Sequence, residues 1–242
     1  MSNQRRHKIT ALPGLVLAWL CMLGSPAQAA EVRGVVSVQQ TGMFDGHSEA
    51  LKTLPISIAL YPAAGQALSR HAAIEHVLSV EGSRISPSYL AVSRGDRLRF
   101  ENQDDVYHEL FTHSKTQPIT VHLDRTGLGR SVEIVLNEVD DLHWFCRIHA
   151  KSYARIDVVD TPMVRMVKPG EPFEFRNLPV GKWRLRVAAP GAETRMLEAE
   201  AVTAPPPIEI QLAVKGFSPA AQGSTQTPAV TVEQLFPSQP GL

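Results

Sequence analysis

Short stretches of alternating apolar and polar residues recur along most of the chain. In the central part they predict strands at 76–80, 89–92, 97–100, 107–112, 119–123, 132–136, 142–146 and 154–159. Turn formers such as Gly95-Asp96 separate these stretches. No stretch has a convincing helical period. Many short strands divided by frequent turns predict an all-β Greek-key sandwich over residues 76–160.

Two further groups of strands flank this central region. Before it, 32–38 and 56–60 read as strands, and after it, 173–175, 183–187 and 208–212 do so. Thr161-Pro162 marks a boundary. We expect residues 30–75 and 161–213 to pair into a second small β-sandwich module. Residues 214–242 are rich in Pro, Ser, Gln and Thr, which predicts a disordered tail.

The N-terminus has the pattern of an export signal. Arg5, Arg6 and Lys8 precede a largely apolar run over 9–23, and small residues lead up to Ala29. This order predicts a secretory signal peptide over residues 1–29, cleaved after Ala29. The apolar run is shorter than the ~20 residues that span a bilayer. We therefore expect a periplasmic protein with no membrane span after cleavage.

The charge balance gives no electrostatic reason to expect a strongly charged partner. The chain carries 24 basic and 24 acidic side chains, so its formal net charge is zero. A balanced charge gives no support for binding nucleic acid or an anionic membrane surface. The hydrophobic content of 43% is enough for a globular core.

Cysteine use points to one position. Cys21 lies within the predicted signal peptide, which leaves Cys146 as the only cysteine of the mature chain. A single thiol cannot form an internal disulfide, so in an oxidising compartment it must be buried or bound. His149 follows it by three residues, and His108 opens an earlier predicted strand. Two imidazoles and a thiolate are the donor set of blue copper centres.

These residues lie in a longer pattern that resembles a known family. The pattern comprises 85–90, 95–102, Asp104-Asp105 before His108, the run Cys146-Arg147-Ile148-His149, and 156–162. It is similar to the plastocyanin/azurin-like cupredoxins, in particular the periplasmic methylamine-utilization-protein-like group. In that group a module resembling the carboxypeptidase regulatory domain accompanies the cupredoxin, and 34–62 with 173–190 look like its two parts.

The resemblance implies one copper ion held by His108, Cys146 and His149. It also implies an axial methionine three residues after the second histidine, where this chain has Ser152. Three alternatives follow: a three-coordinate or water-bound site, another axial oxygen, or a site that no longer binds metal. The expected dry shell around the copper is Phe100, Phe111, Trp144 and Phe145.

The predicted function is electron transfer or copper handling without substrate turnover, with an unidentified redox or copper-delivery protein as partner. The alternative is a metal-free structural or glycan-binding or partner-binding module in which Cys146 is a core residue. A zinc hydrolase would need a carboxylate at ligand spacing, and none is found. His143 should face away from Cys146, since positions three apart on a strand point to opposite sides. His113 and His122 are expected at the surface.

Overall fold

The structure is a computed structural model that describes residues 30–41, 48–63, 71–114, 116 and 118–215. The predicted signal peptide, with Cys21, lies outside the described residues, as does the predicted tail from residue 216 onward. None of the helices in the described ranges is long and apolar enough to cross a membrane.

The described residues form a nearly all-β protein, as the alternation predicts. One short helix, α1 (Ser48–Lys52), and one 3-10 turn at Leu128–Arg130 accompany the strands. In chain order the strands are β1 (Ala30–Thr41), β2 (Ile56–Pro62), β3 (Glu75–Glu81), β4 (Arg84–Ser86), β5 (Tyr89–Ser93), β6 (Arg97–Asn102), β7 (His108–Thr112), β8 (Thr120–Leu123), β9 (Ser131–Val135), β10 (Asp140–Cys146), β11 (Tyr153–Val159), β12 (Val164–Val167), β13 (Pro172–Leu178), β14 (Gly181–Ala188), β15 (Arg195–Ala201) and β16 (Ile208–Lys215).

Strands β3 to β11 form a two-sheet sandwich. One sheet has the order β5-β11-β10-β7-β8, and the other has the order β4-β3-β6-β9. Parallel pairing of β3 with β6 and of β5 with β11 makes the connections cross over rather than run as a simple meander. Alternate residues of each strand fill one shared core, in which Phe100 and Trp144 pack with ring centroids 4.7 Å apart.

The flanking strands share a separate core. They form two sheets, β13-β1-β16 and β12-β2-β14-β15, which enclose a cluster that includes Ile56, Phe173 and Trp183. β1 pairs in parallel with β16 from the opposite end of the described chain. Whether the two cores fold independently, as the predicted domain division implies, stays a prediction. The predicted tail begins too early, because Val214 is fully buried and Lys215 still pairs with Thr41.

Three strands were not predicted from the pattern: β4, β12 and β15. β15 is instructive because its sequence, Arg-Met-Leu-Glu-Ala-Glu-Ala, consists mostly of helix formers. It is an edge strand that pairs along its whole length with β14. Pairing with β14 and burial of one face override the weak preference of these residues for a helix. Strand formation generally depends on such context more than on intrinsic propensity.

Gly34 in β1 sits beneath an aromatic ring. A Cβ atom at this position would lie 2.7 Å from Cζ of Phe173 on the neighbouring strand, and it would also meet the backbone of Ile208. We expect Gly34→Ala to lower the free energy of unfolding by about 1–3 kcal/mol, the usual cost of overpacking. Chemical denaturation measures this, with Gln39→Ala on the exposed face of β1 as control. An equal effect of both variants would contradict the steric account.

The two cores meet at a buried carboxylate. Asp157 on β11 is 1% exposed and accepts hydrogen bonds from Tyr89 Oη at 3.0 Å, Arg155 Nε at 2.8 Å and Arg186 Nη2 at 2.8 Å. Arg186 belongs to β14 of the flanking sheet. The phenol oxygen of Tyr89 also contacts Ser57 Oγ, on β2, at 2.6 Å. The contact between the two units therefore contains a buried network of ionic and hydrogen-bonding groups.

Candidate metal centre

The sheet geometry brings His108 and Cys146 to the same end of the sandwich. His108 is the first residue of β7 and Cys146 is the last of β10, and these strands are antiparallel neighbours with Cys146 opposite Leu110. Side chains two residues apart on a strand share a face, so His108 points into the core side like Cys146. Both are buried, His108 completely and Cys146 to 8% exposure.

His149 reaches the same place from the loop between β10 and β11. The loop is closed by a hydrogen bond from the Ser152 N–H to the His149 carbonyl at 3.1 Å. This turn brings the ring of His149 to a centroid distance of 4.6 Å from the ring of His108. His149 is partly exposed, so it is the one member of the trio that reaches the surface.

The three donor atoms form a tight triangle. His108 Nδ1 and His149 Nδ1 are 3.0 Å apart, and Cys146 Sγ lies 3.8 Å from the former and 3.6 Å from the latter. A point equidistant from three atoms with these separations lies roughly 2 Å from each, close to the metal–nitrogen and metal–thiolate bond lengths found in proteins. The residues present therefore fit a metal ion, and the His₂Cys set suits copper. Within the described part of the chain, no fourth His, Cys, Asp or Glu joins this group.

A carboxylate lies within hydrogen-bonding distance of the buried imidazole. His108 Nε2 lies 3.0 Å from Asp104 Oδ2. Burial, followed by the nearby His149, lowers the pKa of His108, which favours the neutral ring. A neutral ring that donates Nε2–H to Asp104 leaves the Nδ1 lone pair directed at Cys146 and His149.

Asp104 is itself held as a carboxylate. Burial acts to raise its pKa, but hydrogen bonds from the Ser83 and Gly82 N–H groups and from His108 outweigh burial and lower it. The carboxylate is therefore ionised at neutral pH and available as an acceptor. Sequence reasoning placed Asp104-Asp105 only in the pattern that precedes His108, and it missed this contact with His108. The sequence carries no signal that favours Asp104 over Asp105 for this contact.

Ser152, at the position where the family resemblance implies methionine, is buried at 2% exposure. Its hydroxyl donates to the Ser83 carbonyl at 2.7 Å. The described methionines, Met163, Met166 and Met196, lie in or next to the strands of the flanking unit. Among the described residues, therefore, no methionine replaces the one that is missing.

The predicted dry shell is half right. Phe100 and Trp144 are fully buried in the core that contains Cys146. Phe111 and Phe145 instead lie on the outer face of the five-stranded sheet, where their rings are 5.9 Å apart. The reason is strand alternation: Phe145 precedes Cys146 by one residue and must face the other way.

The three other histidines weighed from the sequence lie away from the trio. His143 faces outward, and its Nδ1 contacts Tyr153 Oη at 2.9 Å. His113 packs its ring against Phe145 on this outer face, with centroids 5.3 Å apart. His122 is exposed on β8. These placements agree with the alternation of the strands.

The surface next to His149 is concave and mixed in character. A cavity of about 570 Å³ is lined by His149 together with Val106, Tyr107, Ile148 and neighbouring charged residues that include Asp124. Tyr107 is 59% exposed and Ile148 is 47% exposed. Both apolar and charged side chains therefore lie beside the one imidazole of the trio that reaches the surface.

The solved structures similar to this chain include amicyanin, a purple cupredoxin and a copper-containing nitrite reductase. A point mutant of amicyanin in its reduced Cu(I) form is 15% identical, covers 43% of this chain and 98% of its own, and has a TM-score of 0.31. A purple cupredoxin from Nitrosopumilus maritimus is 17% identical over 34% of this chain and 98% of its own, with a TM-score of 0.29. The strands of this chain themselves show an all-β fold, in which β3 to β11 form a two-sheet sandwich with crossover connections.

A third similar structure belongs to a larger protein. The copper-containing nitrite reductase from Thermus scotoductus is 16% identical over 51% of this chain and 28% of its own, with a TM-score of 0.31. No protein-family model matches the sequence. No curated protein matches it either.

Proposed function

We propose that this cupredoxin-like protein binds one copper ion through His108, Cys146 and His149 and acts as a periplasmic one-electron carrier without substrate turnover. The observation that carries the proposal is the triangle of two Nδ1 atoms and one Sγ, with edges of 3.0, 3.6 and 3.8 Å. A thiolate and two imidazoles stabilise both Cu(I) and Cu(II) with little rearrangement.

Burial supports electron transfer over copper storage or delivery. His108 and Cys146 come from adjacent paired strands and are closed off from solvent, which holds the donors in place and excludes water. An electron carrier keeps its metal in both oxidation states, so donors that are held rigidly suit this role better than donors that must release the metal. The partly exposed His149 and the concave surface of mixed character beside it would give a redox protein access to the site.

The first experiment is a titration of residues 30–242 with Cu(II), followed by visible absorption. We expect uptake of one equivalent with an intense thiolate-to-copper band. Reduction and reoxidation should bleach and restore that band without loss of copper to a chelator. Ser152 predicts a spectrum that differs from that of a site with axial methionine, since the axial ligand tunes these centres.

Two other outcomes would redirect the assignment. Uptake with a thiolate band but rapid loss of Cu(I) to a chelator would favour copper handling. Absence of stoichiometric uptake would contradict the copper proposal and support a metal-free binding module with a buried cysteine. A parallel titration with Zn(II) tests the remaining tetrahedral alternative. Zinc gives no visible band, so its uptake is followed by calorimetry.

A further inference from the structure

The turn between β3 and β4 presents its backbone to the candidate metal centre. Gly82 and Ser83 both have left-handed backbone angles, with φ of 55° and 60°. Two left-handed residues in a two-residue loop match a type I′ hairpin. A left-handed conformation is unfavourable for serine, and such strain persists where surrounding contacts require it. Here both residues direct their N–H groups at one side chain.

That side chain is Asp104. The Gly82 N–H donates to Oδ1 at 2.7 Å and the Ser83 N–H donates to Oδ2 at 3.0 Å. The remaining contact of Oδ2 is His108 Nε2 at 3.0 Å. Backbone N–H groups therefore hold both carboxylate oxygens independently of the imidazole. The position of the carboxylate in turn fixes where the ring of His108 can place its Nε2–H.

Asn102 holds the loop that carries Asp104 from the other side. Its side chain accepts the Asp104 N–H at 2.9 Å and donates to the Val106 carbonyl at 2.7 Å. Asn102 is buried, and its own carbonyl accepts Arg130 Nε at 2.9 Å. The loop before β7 is thus supported independently of the turn.

The same turn also contacts the loop that carries the second imidazole. The Ser83 carbonyl accepts the hydroxyl of Ser152, and the Ser152 N–H closes the loop onto His149. Residue 152 therefore serves as a tether between the loop and the turn. A methionine there would have no hydroxyl to make this bond.

We propose that Asp104 is the positioning residue of the centre and that the backbone of Gly82 and Ser83 forms the clasp that anchors it. Asp104 selects the Nε2–H tautomer of His108 and fixes the ring so that Nδ1 faces Cys146 before any metal arrives. The role in metal binding rests on the function proposed above, whereas the selection of the tautomer is a property of the metal-free protein. An outer carboxylate that orients a ligating histidine raises metal affinity in this way.

The buried Nε2–H donor of His108 is the chemical reason why Asp104 selects the tautomer. When Asp104 is absent, Nε2–H of the fully buried His108 loses its acceptor. A buried donor without a partner is unfavourable, so the proton moves to Nδ1, where His149 Nδ1 lies 3.0 Å away and can accept it. A protonated Nδ1 cannot ligate a metal.

The direct test is the tautomeric state of His108 in the metal-free protein, read by nitrogen-15 NMR of the imidazole at pH 8. We expect the Nε2–H form in the wild-type protein and an added Nδ1–H population in Asp104→Ala. The control is Asp105→Asn, at the neighbouring exposed carboxylate, which should match wild type. Identical tautomers in all three proteins would overturn the proposal.

A second measurement uses the metal. We expect Asp104→Ala and Asp104→Asn to weaken Cu(I) affinity about 10–100-fold and Asp105→Asn to leave it unchanged. Asp104→Asn keeps the side-chain volume, so it remains informative if the alanine variant is poorly folded by circular dichroism. If the wild-type protein binds no copper, the proposed function is wrong. The tautomer measurement still tests the positioning role of Asp104 in that case, because it uses the metal-free protein.

Ser83→Gly separates the backbone clasp from the serine side chain. Glycine keeps the N–H and the carbonyl and adopts left-handed angles freely, so His108 should keep its tautomer and copper affinity should stay within about twofold of wild type. A loss as large as that of Asp104→Ala would show that the serine side chain, and not the turn's backbone, anchors Asp104, and it would overturn the clasp.

Discussion

Replacing Cys146 by alanine is expected to abolish the thiolate-to-copper absorption band entirely. The band requires a sulfur donor, and Cys146 is the only free cysteine among the described residues. Loss of a direct ligand should weaken copper binding by more than the roughly 10–100-fold that loss of an outer partner costs. Visible spectroscopy and competition with a copper chelator measure the two effects.

The control for this variant is His143→Ala. His143 is on the same strand as Cys146 but faces the outer side, where it contacts Tyr153. Its removal should leave both the band and the affinity unchanged. Copper binding that survives loss of Cys146, or that depends equally on His143, would contradict the assigned donor set. Circular dichroism of metal-free Cys146→Ala establishes that the fold is retained.

The second large effect is expected at the contact between the two cores. Asp157→Ala should lower the free energy of unfolding by about 3–5 kcal/mol, because it leaves the largely buried charge of Arg186 without its carboxylate partner, whereas Arg155 keeps Asp141. Arg155 and Arg186 both donate to this carboxylate. Burial acts to lower the pKa of each arginine, but Asp157 and smaller contributions from neighbouring groups together outweigh burial and raise it. Chemical denaturation, followed by tryptophan fluorescence, measures the loss.

Asp160→Ala is the matched control. Asp160 also pairs with an arginine, Arg94, at 2.8 Å, but their side chains are 60% and 50% exposed. Exposed ion pairs of this kind contribute about 0–1 kcal/mol. Similar losses for the two variants would mean that burial of Asp157 does not govern its contribution. Separate unfolding transitions in Asp157→Ala would show that the network couples the two cores.

The sequence alone was enough for the strands of the central sandwich and for the candidate donors. Alternation of apolar and polar residues has a period of two and is a local property, so most strands from β3 to β11 could be predicted without knowing their partners. The same alternation separated Cys146 from His143. The spacing of three between Cys146 and His149 is equally local, because a short turn is sufficient to bring both side chains together.

The tertiary structure decided what depends on residues distant in the sequence. The Ser83 carbonyl and the Ser152 hydroxyl are 69 positions apart, so no local pattern could show that residue 152 is a tether. Parallel pairing of β1 with β16 likewise joins the two ends of the described chain, and β15 is a strand because β14 pairs with it. Local periodicity determines which face of a strand is buried, but only packing determines which buried polar groups meet. That is why the donors could be read from the chain, whereas the support from Asp104 could not.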